Sequence, residues 1–394
     1  MEIDDHQNPP ISRLPEEILQ QIISYLPLRQ ILVCRRVSRL FRRLFSSPSF
    51  LPSSTTLPLI SLRPHHHHHH QHSSPPPSLV SFDPAVDSWI SIPLSFLPFP
   101  TLLPIAASSS LLYLWASSAA SPKSLVVCNP LTRQFRVLPP LGTAWSRHGA
   151  VLVDSPHRVL VLTELAALYY FPSPCAGGPA AKEGNTNFRW SKFSSDLPSK
   201  PRSPLLIGDA VYALCDIGSP WRSQWKLFMC SLSRAAAGGG GVGHWVRLEK
   251  LEWGDIFDIL KRPRLVRSTE GNLLMVGGLK SSYALNTSCS TIVILRLDLG
   301  RMEWEEAGRM PAEMFSCFAE STKFKVFGGG DRVCFSGKRV GRLTLWEGGK
   351  GKSAEGTWRW IDGVPGWCKD IVYRGFVFEA AFTELARCGI RCLH

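Results

Sequence analysis

The chain has 394 residues, 44% hydrophobic and 19% charged, which provides apolar material for a packed core and excludes global disorder. Pro and Gly, 31 each, together with 13 Trp, point to many short strands and tight turns and exclude a long helical bundle or coiled coil. A formal net charge of +13 favours acidic partners (nucleic acid, an anionic membrane surface or an acidic protein) without choosing among them.

Residues 1–10 are acidic and polar, read as a disordered N-terminus with no apolar signal core. Residues 11–50 then form a small helical module. In LPEEILQQIISYLP, Leu14, Ile18, Leu19, Ile22, Ile23 and Leu26 recur at helical spacing. Pro15 suits the first helical position, Glu16 and Glu17 complement the positive end of the helix dipole, and Pro27 forces a stop. A second helix, Gln30 to Phe45, carries Val33, Val37, Leu40, Phe41 and Leu44 on one side and arginines on the other. Some 35 residues cannot make a self-sufficient core. The module must finish its burial against a partner or against the chain's own C-terminal domain, and periodicity does not decide which.

LPEEILQQIISYLPLRQILVCRRVSRLFRRLF resembles the F-box. The matching positions are Leu14, Pro15, Glu17, Ile18, Leu19, Ile22, Leu26, Pro27, Val37, Ser38 and Phe41. Phe41 stands where the family usually has Trp, and Gln30 lies near the place of a common acid. The resemblance implies that these residues dock on the Skp-type adaptor of a cullin–RING ubiquitin ligase. Seven arginines against two glutamates in 11–50 would speed association with an acidic adaptor. They alternate with buried-type residues instead of forming a compact basic run, which ranks nucleic acid below a protein partner.

Residues 51–78 read as a low-complexity linker or loop. They contain His65 to His70, His72 and Pro75 to Pro77. Leu57 to Leu62 has strand character, and as a strand it would make the histidine tract a loop of the following domain. Ser88 to Pro122 is uncharged and apolar, but Pro93, Pro98, Pro100 and Pro104 speak against a membrane helix and for short buried strands.

From 79 to 394 one theme repeats: an apolar strand, a turn, then a strand with a large aromatic. The aromatics are Trp89, Phe135, Trp190, Trp245, Trp304 and Trp358, spaced by 46 to 59 residues. Repeats of this length suggest propeller blades that bury their faces only by stacking. Gly277-Gly278 and Gly328-Gly329-Gly330 are kelch-like, and the chain is similar to plant F-box proteins carrying a degenerate kelch-repeat propeller. The expected fold is a small all-α F-box module followed by an all-β kelch-like propeller of six blades. A strand near 370–382 would join the first blade and close the ring, removing exposed edges.

Chemical motifs are scarce. Gly351-Lys352-Ser353 lacks the leading glycine of a phosphate loop, and no G-x-S-x-G elbow or H-E-x-x-H helix occurs. Cys388, Cys392 and His394 fall short of the four ligands of a structural zinc. No catalytic residue, metal or cofactor is expected, and the eleven cysteines suggest reduced thiols in a nuclear or cytoplasmic protein. The expected role is the non-catalytic substrate-recognition subunit of an SCF-type ubiquitin ligase, with an unidentified protein target held at one propeller rim. Candidate rim residues are Trp145, Arg147, Trp221, Arg222, Trp225, Trp253 and Lys369, because aromatic and cationic side chains make good anchors. The alternatives are a propeller scaffold acting outside degradation, such as a transcription-factor partner, and a galactose-oxidase-like copper enzyme drawing on His148, His157 and His244.

Overall fold

The computed structural model describes residues 14–45, 57–63, 76–117, 123–154, 158–170, 190–232, 244–269, 271–281, 289–319, 324–349, 356–366 and 371–382. Proline sets the start of the first two helices. Pro15 is extended before α1 (Glu16–Ser24), and its carbonyl accepts from Leu19 N–H at 3.0 Å. Pro27 does the same for α2 (Leu28–Val37), accepting from Ile31 N–H at 3.1 Å. The expected helix over 30–45 is interrupted. Ser38 is extended at φ −134°, and its hydroxyl accepts from Phe41 N–H at 3.4 Å to cap α3 (Arg39–Leu44). A serine at this place satisfies a donor that the helix start leaves open.

The strands form six four-stranded antiparallel sheets. The first contains β1 (Leu57–Leu62), β2 (Ser78–Asp83) and β3 (Ser88–Pro93). The second is β4 (Thr101–Ser108), β5 (Leu111–Ser117), β6 (Ser124–Asn129) and β7 (Gln134–Val137). The third is β8 (Ala150–Leu152), β9 (Arg158–Leu162), β10 (Leu165–Tyr170) and β11 (Ser191–Ser194), entered through a short helix, α4 (Thr143–His148). The fourth is β12 (Arg202–Ile207), β13 (Ala210–Asp216), β14 (Trp225–Ser231) and β15 (Val246–Leu248). The fifth is β16 (Leu260–Arg267), β17 (Leu273–Lys280), β18 (Cys289–Asp298) and β19 (Glu303–Arg309), followed by α5 (Ala312–Ala319). The sixth is β20 (Phe324–Gly329), β21 (Arg332–Gly337), β22 (Leu343–Glu347) and β23 (Thr357–Ile361).

The last strand, β24 (Gly375–Ala380), returns to the first sheet, whose order is β24-β1-β2-β3. It pairs with β1 from Leu57↔Ala380 to Leu62↔Gly375 and becomes the innermost strand of that blade. The propeller therefore starts at Leu57, earlier than position 79, because β1 is paired on both sides. The histidine tract connects β1 to β2 and lies outside the described residues, as do residues 1–10 and the C-terminal cysteines. Strands β24, β4, β8, β12, β16 and β20 neighbour one another in a ring.

The aromatic repeat marks the outermost strand of each blade. Trp89, Phe135, Trp304 and Trp358 lie in β3, β7, β19 and β23, while Trp190 and Trp245 immediately precede β11 and β15. In three blades the turn before this strand has a common device six residues upstream of the aromatic. Asp83, Asn129 and Asp298 each accept from a backbone N–H of the turn, at 3.0, 2.8 and 2.8 Å to Ala85, Leu131 and Gly300. Asp87, Arg133 and Met302 then take left-handed geometry at φ 50°, 62° and 59°. Such self-bonded turns are what short acidic and amide side chains favour.

Sheet twist swings the start of an outer strand toward the blade before it. Trp89 Nε1 accordingly donates to Asp362 O at 2.8 Å, and Trp190 Nε1 to Pro139 O at 2.7 Å. Trp253 Nε1 makes the reverse contact, to Met302 O at 2.9 Å. Inside the sixth blade Trp346 is fully buried, and Gly308 and Gly356 make room for its indole: a Cβ there would lie 2.6 and 2.2 Å from Nε1. Gly277 and Gly278 sit within β17. Gly328, at φ +153°, closes β20 where a Cβ would meet Arg332 O at 2.0 Å.

Candidate functional site

Helix α1 is apolar on two sides, and the two sides meet different surroundings. Leu19 and Ile23, one turn apart, are 2% and 3% exposed. They share a core with Ile31, Leu44 and Phe45 of the helices and with Leu59, Leu79, Leu131, Phe376 and Phe382 of the propeller. Leu14, Ile18 and Ile22 point away and remain 40%, 43% and 48% exposed. Tyr25, Val33 and Val37 are exposed as well, as are Pro15, Glu17 and Pro27. Several apolar side chains left open along one side of a helix mark an interaction surface.

The sequence-selected residues thus divide. Leu14, Pro15, Glu17, Ile18, Ile22, Pro27 and Val37 are exposed. Leu19 is corrected to a core residue, because the propeller covers it. Leu26 and Phe41 are half-buried against the same core, Phe41 stacking on Phe45 at 6.1 Å, and Ser38 serves as the α3 cap. Tyr25 was missed, although it follows Ile22 by three residues and so shares its face.

The arginines divide as well. Arg29 donates to Ser88 Oγ at the start of β3 and Arg35 to Leu131 O on the turn after β6. Arg35 is buried, and desolvation, aided by Arg133 and Arg42, pulls its pKa down to about 10. These two hold the module to the propeller and are not available to steer a partner. Arg43 remains exposed, 3.8 Å from Glu16.

The two ends of the propeller differ. The inner strands run in one direction and finish around a central cavity of about 370 Å³, lined by Ser108, Asp154, Arg267, Ser268, Gly329 and Glu379 among others. Charges there are mixed, with Asp154 paired to Arg267 and Asp331 accepting from Ser268 at 2.5 Å and from Thr269. The helical module is fixed at this end, since Ser88 and Leu131 follow β2 and β6 and Phe382 follows β24. Trp145, Arg147, Trp221, Arg222 and Trp253 fall on connections belonging to the far end. Trp221 is 87% exposed there, and Arg147 and Arg222 are exposed too. Trp145 and Trp253 are corrected to packing residues, each 8% exposed, the second stacked edge-on against Trp304. Trp225 opens β14 under the Arg202 guanidinium, 4.3 Å from its ring centre. Lys369 lies outside the described residues.

Among the described residues no group of three or more His, Cys, Asp or Glu converges as a metal-binding set. His148 precedes β8 at the far end, His244 precedes β15 at the helical end, and His157 lies outside the described residues. No described helix is long and apolar enough to cross a membrane. Burial raises the thiol pKa of Cys128 and Cys334, that of Cys215 to about 11 and that of Cys230 to about 12, so these cysteines are poor nucleophiles.

A helical module with a half-open apolar face, seated on a six-bladed propeller, defines the class: an F-box module joined to a binding propeller. Residues 11–53 match the F-box domain family. The protein called SKP1-interacting partner 15 in Arabidopsis thaliana is 54% identical over 393 residues, covering 96% of this chain and 99% of its own. An F-box/kelch-repeat protein of the same plant is 35% identical over 132 residues, 32% of this chain and 30% of its own length. The chain belongs to the plant F-box protein family. Among solved structures, TolB from Acinetobacter baumannii aligns over 84% of this chain and 72% of its own with a TM-score of 0.42 and 12% identity. The propeller assignment rests on the strand order and not on that likeness.

Proposed function

We propose that this protein is the target-recruiting subunit of an SCF-type ubiquitin ligase, itself non-catalytic and acting in the nucleus or cytoplasm. One observation carries the reading: α1 buries Leu19 and Ile23 in the protein's own core and leaves Leu14, Ile18 and Ile22 for another polypeptide. The name of the near full-length Arabidopsis relative supports a Skp-type adaptor as that polypeptide. The adaptor links the module to a cullin–RING complex, and the propeller holds the target. Nothing in this arrangement calls for bond chemistry by the chain. Its contribution is proximity, which raises the effective concentration of a target lysine near the charged conjugating enzyme. The seven described cysteines are all free thiols, in keeping with a reducing compartment.

The test is co-purification of the full-length protein with a plant Skp-type adaptor. Burying one Ile side chain contributes roughly 1.5–3 kcal/mol, and a carboxylate in its place must be desolvated as well. Ile18→Asp and Ile22→Asp are therefore expected to abolish capture while the melting temperature stays unchanged. Equal capture by wild type and both variants would overturn the reading.

A further inference from the structure

The far mouth of the central channel is basic, and no part of the mechanism above uses it. Four cations gather on consecutive inner strands, three of them at the strand starts. Arg202 is the first residue of β12, Arg264 lies in β16, Lys325 is the second residue of β20, and Arg374 directly precedes β24. Arg63, just beyond β1, is tied to Arg374 by a backbone bond of 2.8 Å and donates its guanidinium to Ile105 O. Strand order alone brings these side chains together, because inner strands of a closed ring begin at one mouth.

Among the described residues, no carboxylate lies within ion-pair distance of Arg202, Arg264, Lys325 or Arg374. Asp216 acts on Arg202, but behind burial and the charge of Arg262. The group instead feels itself. Burial first, then the charges of Arg202, Arg374 and Arg262, lower the pKa of Arg264 to about 10. Lys325 is lowered by burial and then by Arg374, Arg264, Arg202 and Arg262. Like charges gathered in a partly buried ring oppose folding, so the arrangement is relieved when an anion enters.

We propose that this mouth is where the target is gripped, by a protein segment whose side chains carry clustered negative charge, acidic or phosphorylated. The inference rests on the receptor reading and adds the chemistry of the target. Geometry favours a polypeptide. The six inner strands pack side by side in a closed ring, whose narrow opening suits an extended chain or a loop tip. A double helix, whose major groove alone is about 12 Å wide, does not enter. Arg guanidinium groups clamp carboxylate and phosphate oxygens with paired N–H donors, and the exposed Trp221 on the neighbouring connection offers an aromatic anchor at the rim. The opposite mouth, with Asp154, Asp331 and Glu379, lacks this character.

The experiment uses the full-length protein and short fluorescent Gly/Ala peptides carrying three phosphoserines, three glutamates or three serines at the same places. A fluorescent oligothymidylate of equal charge is the fourth probe. Anisotropy is expected to show the phosphoserine or glutamate peptide bound at least about tenfold more tightly than the serine peptide, with affinity falling as salt rises. Preference for phosphoserine assigns a phosphorylated segment, and parity with glutamate assigns an acidic one. Arg264→Gln with Lys325→Gln, and separately the exposed Arg374→Gln, should weaken that binding at least about tenfold, whereas Arg267→Gln in the opposite mouth should not. Because the changes relieve repulsion, the variants should melt no lower than wild type, which excludes misfolding as the cause. No preference over the serine peptide, binding that survives both sets of changes, or tighter binding of the oligothymidylate would each overturn the proposal. Adaptor capture is read in parallel. Variants that lose the peptide must still capture the adaptor, while a wild type that binds peptide without capturing adaptor would overturn the receptor reading instead.

Discussion

The helical module and the propeller handle apolar surface in opposite ways. The blades cover theirs against one another: Leu273, Leu274, Met275 and Val276 are consecutive in β17 and all fully buried, because neighbouring blades cover both faces. The module buries one side of α1 and leaves the other open by design of the sequence, with Leu19 and Ile23 facing in and Ile18 and Ile22 facing out. A residue shift of one along a helix turns a side chain by about a quarter of the circumference, which is enough to change its role from packing to docking. The lesson is that apolar periodicity finds the helix but not which edge of its stripe is taken.

The largest expected effect breaks the propeller side of this contrast. Trp346→Ala removes a fully buried indole between Gly308 and Gly356 and should cost about 3–5 kcal/mol, read by chemical denaturation. Next comes the comparison within α1 itself. Ile23→Ala should lower protection against hydrogen exchange across 14–45 by about 2–5 kcal/mol. Ile22→Ala should stay within about 0.5 kcal/mol yet weaken adaptor capture. If Ile22→Ala destabilises the module as much as Ile23→Ala, the outward side is not a free surface.

Much of the fold was legible because its repeat is chemical. Six aromatics at blade spacing mark six outer strands, and the closing strand near 370–382 follows from an unpaired first blade. The start at Leu57 was less legible because a polyhistidine insert separates β1 from β2, hiding their pairing. The site was only half legible. Exposure of Trp221 and burial of Trp145 and Trp253 depend on how outer strands swing across blade boundaries, and local sequence does not encode that twist. The basic mouth escaped notice because Arg63, Arg202, Arg264, Lys325 and Arg374 are far apart in the chain and meet only when the ring closes. The capped turns could have been found: Asp83, Asn129 and Asp298 each stand six residues before an aromatic anchor.

A smaller effect sharpens the role of those turns. Asn129 Oδ1 accepts from Leu131 N–H at 2.8 Å and Thr132 N–H at 3.4 Å, while its Nδ2 donates to Ala381 O at 2.9 Å beyond the closing strand. Asn129→Ala leaves a buried carbonyl and two amides without these partners and should cost about 1–3 kcal/mol. Asn129→Asp keeps the turn bonds and loses the donor to Ala381, so it should fall between Ala and wild type.

The smallest effect appears only in alkali. Burial holds the Cys215 thiol at about 11 and that of Cys230 at about 12, above the ordinary value of 9.0. A pKa raised in the folded state stabilises it fully below the unfolded value, and that stability is lost as pH rises through the folded value. Thermal stability should therefore be unaffected by these thiols near neutrality and decline from about pH 9 toward pH 11 to 12. Cys215→Ser and Cys230→Ser should flatten that decline. In the module Cys34 is only half-buried and on α5 Cys317 is exposed, so a thiol reagent at neutral pH should label Cys317 and Cys34 well before Cys215 or Cys230. Rapid labelling of Cys215 in the native protein would mean that the fourth blade opens as readily as the helical module, and the contrast between a closed propeller and a half-open docking helix would fail.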